Sequence, residues 1–378
     1  MRSNIFDNQW LMESERPSYS QFSDSVSIVD LFSGCGGLTL GALEAARKHQ
    51  LACNIKLAVE LNPEAANTYE ENFSENLLNL HKGDISEIIT NYPGDNISEI
   101  EEKVRFQNNN IDVLLAGPPC QGHSRLNNHT RSKDPRNKLY LKVIRFVELC
   151  RPKLVIIENV LNIKNDSENI LVESADFLTG LGYSVENLVI KTAEYGIAQN
   201  RVRHIQVASI EKIDLSLESY KSSSVLSDVI ADIIDNSNNS DDTFDTPSVT
   251  KHLDRIDYLF DNDLYDLPNE LRPDCHKNKK HTYPTSYGRL KWDQPSTTIT
   301  RGFSTMGQGR FVHPLRRRTL TPHEAARIQG FPDFFSFTEY KTRGNLHLMI
   351  ANAVPPKIGA MIVDLYLSQK RSDKNAGK

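Results

Sequence analysis

The chain has 378 residues, of which 38% are hydrophobic and 25% charged, and its formal net charge is −5. Such a composition fits a soluble globular protein with one large core and a smaller module, and it argues against a protein that merely coats nucleic acid. The five cysteines (Cys35, Cys53, Cys120, Cys150 and Cys275) form no C-x-x-C pair, which speaks against a disulfide framework or a standard zinc site. Cys275-His276 with His281 lacks the further ligands of a four-coordinate site, so no metal is expected. No apolar run has membrane-spanning length, and Met1-Arg2-Ser3-Asn4 lacks the basic and apolar regions of a signal peptide. A cytoplasmic protein with reduced thiols is the expectation.

Residues 1–25 are polar and unpatterned, and read as an N-terminal arm or fray outside the core. Val26 to Phe32 is a short apolar strand, followed by glycines and a helix from Leu38 to Lys48. A second strand at Ile55–Val59 leads into a helix at Pro63–Phe73 with proline in its first turn. Further strands fall at Ile111–Leu115, Leu154–Ile157, Ser184–Ile190 and His204–Ser209, with helices at Leu139–Cys150 and Ser167–Leu181. Strands alternating with helices predict an α/β fold, a mainly parallel doubly wound sheet whose site lies at the carboxyl ends of the strands.

After Ser209 the alternation stops, and Asp228 to Thr246, rich in Asp, Asn and Ser, reads as a linker or surface excursion. A smaller domain over 210–343 follows the first domain at 26–209. Within it Thr321 caps a helix, and the apolar stretch Leu346–Leu367 in the final segment, 344–378, docks back onto the first domain. Charge is segregated along the chain. Bases dominate Gln121–Lys142 and Ser286–Arg318, and acids dominate between about Glu211 and Asp274.

Gly117-Pro118-Pro119-Cys120 follows the Ile111–Leu115 strand, so two prolines present one thiol in a fixed direction at a strand end. The bland alternative is a buried loop cysteine. Phe32-Ser33-Gly34-Cys35-Gly36-Gly37 lies where glycines let a backbone approach a nucleotide-like cofactor. Glu60 ends the second strand, where an acid can bind ribose hydroxyls. Asp84 can accept from an adenine amine, or either acid can be a helix cap or a solvated charge. Glu158 emerges from the apolar Leu154–Ile157 strand, placed to donate to a ring nitrogen or to cap the next helix. Arg201 and Arg203, two residues apart, suit a phosphate or base carbonyl, or a solvated edge.

In this order the segments DLFSGCGG, the acid after the second strand, GDI, GPPCQGHS, ENV, QNRVR, RRRTLTPHEAARIQGFPD and Asn352-Ala353-Val354-Pro355-Pro356 resemble the cytosine carbon-5 DNA methyltransferase family, bacterial type, over about residues 26 to 365. The resemblance implies a class I methyltransferase fold with an inserted target-recognition domain, here the smaller one. It implies Cys120 as nucleophile on cytosine carbon 6, Glu158 at ring nitrogen 3, and Arg201 and Arg203 supporting the flipped base. S-adenosylmethionine is the implied cofactor and S-adenosylhomocysteine the product. The matching pocket positions are Phe32, Ser33, Gly34, Cys35, Gly36, Gly37, Leu38, Glu60, Leu61, Asp84, Ile85, Gly117, Pro119, Asn352, Ala353 and Val354. Family members usually carry glycine where this chain has Ala351.

The implied partner is double-stranded DNA, contacted by a monomer that serves a restriction-modification or related defence system. A stacked base must be flipped out to reach a thiol. Gln121, Ser124 and Arg125 in the loop after the nucleophile are candidate DNA contacts, as are Arg289, Arg301 and Arg310 in the second basic stretch, which also holds Trp292, Phe303 and Phe311. The acidic stretch 210–283 is a doubtful DNA-reading surface. The same catalytic set would serve a transfer-RNA cytosine methyltransferase. A dehydrogenase using the glycine turn alone would leave Cys120, Glu158 and the arginine pair unexplained, and a catalytically dead DNA-binding module conflicts with the intact nucleophile and acid.

Overall fold

The structure, a computed structural model, describes residues 8–119, 139–165, 169–219, 224–235, 243–247, 252–277 and 286–376. In chain order the α-helices and strands up to residue 209 are α1 (Asn8–Leu11), β1 (Ser25–Leu31), α2 (Gly37–Lys48), β2 (Ala52–Val59), α3 (Pro63–Phe73), β3 (Leu80–His81), α4 (Glu99–Gln107), β4 (Val113–Ala116), α5 (Leu139–Cys150), β5 (Leu154–Val160), α6 (Ile170–Gly180), β6 (Ser184–Lys191), β7 (Gln199–Asn200) and β8 (Val202–Ser209). Seven of the strands form one sheet in the order β3-β2-β1-β4-β5-β8-β6. β1, β2, β3, β4 and β5 pair in parallel, and β8 runs against both its neighbours. This is the α/β class expected, with strand ends shifted by one to three residues.

The central strands are apolar along their length because helices cover both faces. Ile28 and Ile156 belong to one core, while Val29, Leu31 and Ile157 belong to the other. Asp30 interrupts the apolar run of β1 and is fully buried. β5 extends to Val160, so Glu158 sits inside the strand and not beyond its end.

Among the described residues the remaining α-helices of five or more residues are α7 (Leu226–Ile230), α8 (Leu253–Asp261), α9 (Pro322–Gln329), α10 (Arg343–Asn352) and α11 (Pro356–Ala376). Thr321 caps α9 as expected: its hydroxyl accepts from Glu324 N at 3.1 Å while Thr321 N donates to Glu324 Oε2 at 2.9 Å. The predicted helical stretch Leu346–Leu367 is in fact two helices, because Pro355-Pro356 cannot continue the hydrogen bonding of α10. The stretch Arg343–Ser372 is long and apolar enough to cross a membrane by composition, contrary to expectation, yet most of it is buried in the protein.

Residues 8–25 are tied to the core and are not a fray. Trp10 and Tyr19 are buried; the Trp10 ring meets Phe334 edge-on at 5.9 Å, and the Tyr19 hydroxyl donates to Glu44 Oε1 at 2.6 Å. The two buried aromatics, set in a mostly polar stretch, give no periodic signal, yet each buries enough area to anchor the segment.

A smaller core of Ile256, Leu259, Leu267, Tyr287, Met306 and Val312 holds the inserted region, where β9 (Gly288–Arg289) pairs with β11 (Arg310–Val312). β10 (Ser296–Thr297) pairs with β7 and so ties this region to the QNRVR segment.

α11 returns across α2 at very close range. A Cβ at Gly41 would lie 1.9 Å from Pro356 O and 2.8 Å from Ala360 N. Gly41→Ala therefore forces two helix backbones apart, and should lower unfolding free energy by about 1–3 kcal/mol. Denaturant titration of the variant measures this; an unchanged midpoint would contradict the close crossing.

Candidate active site

The carboxyl ends of β1, β2, β4 and β5 border a cavity of about 1990 Å³. All the residues matched to a cofactor pocket line it except Gly36, and Glu158, Arg201, Arg203, Arg301 and Arg310 line it too. Cys120, Gln121, Ser124 and Arg125 lie outside the described residues.

At the glycine turn, Phe32 has φ 57°, a left-handed conformation that a bulky side chain adopts only when its surroundings enforce it. The enforcement is visible. Ser33 N donates to Val59 O at 3.0 Å, Gly34 N to Glu60 Oε2 at 2.8 Å, and Asn62 N to Glu60 Oε1 at 2.7 Å. Glu60 thus clamps the turns after β1 and β2 to each other, a role neither of the alternatives for it included. Burial pushes its carboxyl up, partly offset by these N–H donors. A Cβ at Gly37 would lie 2.0 Å from Val354 O, so glycine there lets the 352–354 turn close onto the first turn.

Burial pushes the Cys35 thiol up to about 12, which keeps it protonated and inert. Asp84 Oδ1 accepts from Ser86 N at 2.8 Å and caps the turn Ile85–Glu87, the bland alternative for this acid, while the residue still borders the cavity. Leu61, 66% exposed, stands at the rim.

Asp30 was not among the candidate residues, although one acid inside an apolar strand was a readable signal. Its Oδ2 accepts from Thr39 Oγ1 at 2.6 Å, and its Oδ1 is buried without a hydrogen-bond partner among the described residues. Asp30 borders the cavity. Burial pushes its carboxyl up to about 7 against the opposing Thr39 hydrogen bond, with Glu60 adding to the shift.

At the other end, Ala116 pairs with Leu31 and with Ile157, so Gly117-Pro118-Pro119 leaves β4 between β1 and β5. Asn159 Nδ2 donates to Pro118 O at 3.5 Å. Because β8 is reversed, its first residues meet the end of β5, with Arg203 opposite Val160. Arg203 Nε lies 2.8 Å from Glu158 Oε1, so the carboxylate has a cationic partner as well as an apolar wall. Arg201 Nη1 instead donates to Ala351 O at 3.2 Å, at the end of α10. The two arginines of one motif thus support different walls of one cavity.

The second basic stretch differs from its expected role. Arg289 is 8% exposed, donates to Pro314 O at 2.9 Å and lies 4.0 Å from the Phe260 ring centroid. It is part of the module's interior, and the structure does not offer it to DNA. Arg310 pairs with Asp266, Arg316 with Asp235, and Arg317 with Asp257 and Asp261. Arg301 is exposed and has no charged partner among the described residues. Phe303 and Phe311 are buried core residues. In the first basic stretch, Lys142 is 3% exposed and donates to Thr90 O at 3.0 Å.

The sequence profile described as C-5 cytosine-specific DNA methylase matches residues 26–365. The chain is 43% identical over 364 residues to the Type II methyltransferase M1.BsuMI of Bacillus subtilis (strain 168), covering 95% of this chain and 84% of that one. It is 28% identical to the Type II methyltransferase M1.HphI of Haemophilus parahaemolyticus, over 94% and 90% of the two chains. Among solved structures, a prophage-encoded protein of Escherichia coli superposes with a TM-score of 0.62 at 24% identity, covering 91% of this chain and 99% of that one. The Entamoeba histolytica methyltransferase EhMeth gives 0.61 at 17% identity, covering 92% and 99%. These two likenesses concern the fold, that of class I methyltransferases.

The Glu60 clamp is testable apart from catalysis. Glu60→Gln sets an amide N–H against one of two backbone N–H groups, and should lower stability by about 1–3 kcal/mol at neutral pH. Urea unfolding measures it; a variant as stable as the parent would contradict the double acceptor role.

Proposed function

Because the chain belongs to the C-5 cytosine-specific DNA methylase family, and is therefore a DNA (cytosine-5)-methyltransferase, we propose that it methylates a flipped-out cytosine of double-stranded DNA through a covalent Cys120 adduct, using S-adenosylmethionine, within a restriction-modification system. The observation that carries this reading is the Glu158–Arg203 pair beside the Pro118-Pro119 turn that leads into Cys120. DNA is the substrate named in the family's description, which favours it over transfer RNA.

The cavity suits the cofactor on its own chemistry. Asp30 borders it with an unpartnered buried oxygen, a fitting neighbour for a cationic group, and the Glu60 carboxylate lies across the glycine turn from it. Phe32, Gly34, Asp84, Ile85 and the 352–354 turn would hold the remainder. S-adenosylmethionine supplies an electrophilic sulfonium methyl, which cytosine carbon 5 accepts.

What the chain does is make that carbon a nucleophile. The Cys120 thiolate forms a bond to carbon 6, and the ring's displaced electron pair is accommodated by a proton held at nitrogen 3 by Glu158. Arg203 keeps the Glu158 carboxyl aimed at that nitrogen, and Arg201 braces the wall behind the base. Water then takes the carbon-5 proton, the electron pair restores the carbon 5–carbon 6 double bond and expels the Cys120 thiolate, and nitrogen 3 returns its proton to Glu158. Arg301, with no charged partner among the described residues, is the cleft's candidate contact from the inserted module, while Gln121, Ser124 and Arg125 follow the nucleophile.

Two measurements check this reading. Bisulfite sequencing of DNA from cells expressing the protein should show methylated cytosine at one recurring site, and Cys120→Ala should abolish the signal while S-adenosylhomocysteine binding persists. Near-normal turnover by that variant would refute the covalent route. Second, a cation beside Asp30 requires its ionised form, so S-adenosylmethionine affinity should rise with pH up to about 7 and level off above. Below that pH the affinity should fall by about tenfold per unit, with one proton released on binding, and Asp30→Asn should flatten the profile. Calorimetric titration across this range reads both.

A further inference from the structure

Gln199 of the QNRVR segment and Gln329 of RRRTLTPHEAARIQGFPD are both fully buried, and neither has been given a role so far. Gln199 Oε1 accepts from Ile299 N at 3.0 Å, and its Nε2 donates to Gln329 Oε1 at 2.8 Å. Gln329 Nε2 donates to Ile350 O at 2.7 Å, with Ala351 O and Ala353 O each at 3.4 Å. Arg201 Nη1 joins them, 3.5 Å from Gln329 Oε1 and 3.2 Å from Ala351 O.

The direction of this chain is fixed. Each amide has its oxygen against a donor and its nitrogen against an acceptor, so turning either one over would set oxygen against oxygen. Three walls of the cavity meet at the pair. Ile299 leads into Thr300 and Arg301 on the DNA side, Arg201 backs the base, and residues 350–354 close over Gly37 on the cofactor side. A displacement of the Ile299 amide cannot be absorbed by Gln199 alone, because its other end is held by Gln329. Gln329 in turn holds the carbonyls of the 350–353 turn.

We infer that Gln199 and Gln329 are positioning residues that couple the DNA side of the cavity to the cofactor side, with the Arg201 guanidinium held by Gln329 and Ala351 O. The inference rests on the S-adenosylmethionine reading above. Coupling of this kind is reciprocal: DNA tightens the cofactor by the factor with which the cofactor tightens DNA.

The test uses the full chain, S-adenosylhomocysteine, and a duplex carrying the site found by bisulfite sequencing. Gln199→Met and Gln329→Met conserve volume and remove the amide ends. In the parent protein the duplex should lower the S-adenosylhomocysteine Kd by at least about fivefold, a factor typical of coupled sites. In either variant that factor should fall below about twofold while the Kd without DNA stays within about threefold, and the double variant should lose no more. A residue pair that is only structural would lower the melting temperature and leave the coupling factor intact. Retention of the parental factor in either variant, no tightening in the parent, or failure of both single variants to fold would each overturn the inference. Absence of any S-adenosylhomocysteine binding by the parent would instead overturn the cofactor reading, and this inference with it.

Discussion

β8 enters the sheet against the direction of its neighbours, so its first residues, not its last, arrive at the edge where the parallel strands end. Were it parallel over the same span, Arg203 would stand opposite Leu154, four residues back along β5 from Glu158. The reversal sets a guanidinium against a carboxylate inside a wall of apolar strand, where an unpaired charge would be costly. The Glu158–Arg203 contact of 2.8 Å is therefore both a product of the topology and a condition for it. The Pro118-Pro119 turn, the Arg201 brace and the β7–β10 attachment of the inserted module all stand beside this pair.

Charge tells a different story in three dimensions than along the chain. The acidic stretch of roughly 211–274 and the basic stretch of 286–318 look like two separate faces, one repelling DNA and one attracting it. Folding brings them together. Asp235, Asp257, Asp261, Asp263 and Asp266 meet Arg316, Arg317, Arg289 and Arg310 in an ion-paired seam. Each exposed pair contributes little to stability, commonly about 0–1 kcal/mol, but the field of the module is much reduced, and Arg301 stands out against that neutral ground. The acidic stretch is the module's counter-charge.

Much of the site was legible because its constraints are local. A strand followed by glycines, an acid at a strand end, two prolines just after a strand: each places a residue with respect to its own neighbours in the chain, and the alternation of strands and helices carries these residues to one edge. Glu60 was read as a site acid, but its grip on Gly34 N and Asn62 N needed the second strand to lie beside the first. Asp30 breaks an apolar strand within DLFSGCGG, and only the packing of α2 over β1 makes it a buried carboxyl held by Thr39. Trp10 and Tyr19 were missed for want of any period.

By itself the sequence determined the α/β class, its mainly parallel sheet, the family and most of the described residues that border the cavity's cofactor side, since hydrophobic period and turn chemistry act over a few residues and survive in one dimension. Only the tertiary structure decided which acids meet which arginines, that Arg289 and Lys142 face inward, and that Gln199 and Gln329 join three walls. The physical reason is that ion pairs and buried amides are satisfied by whatever lies within about 3 Å in space, and that partner is chosen by packing across a hundred residues or more, not by spacing along the chain.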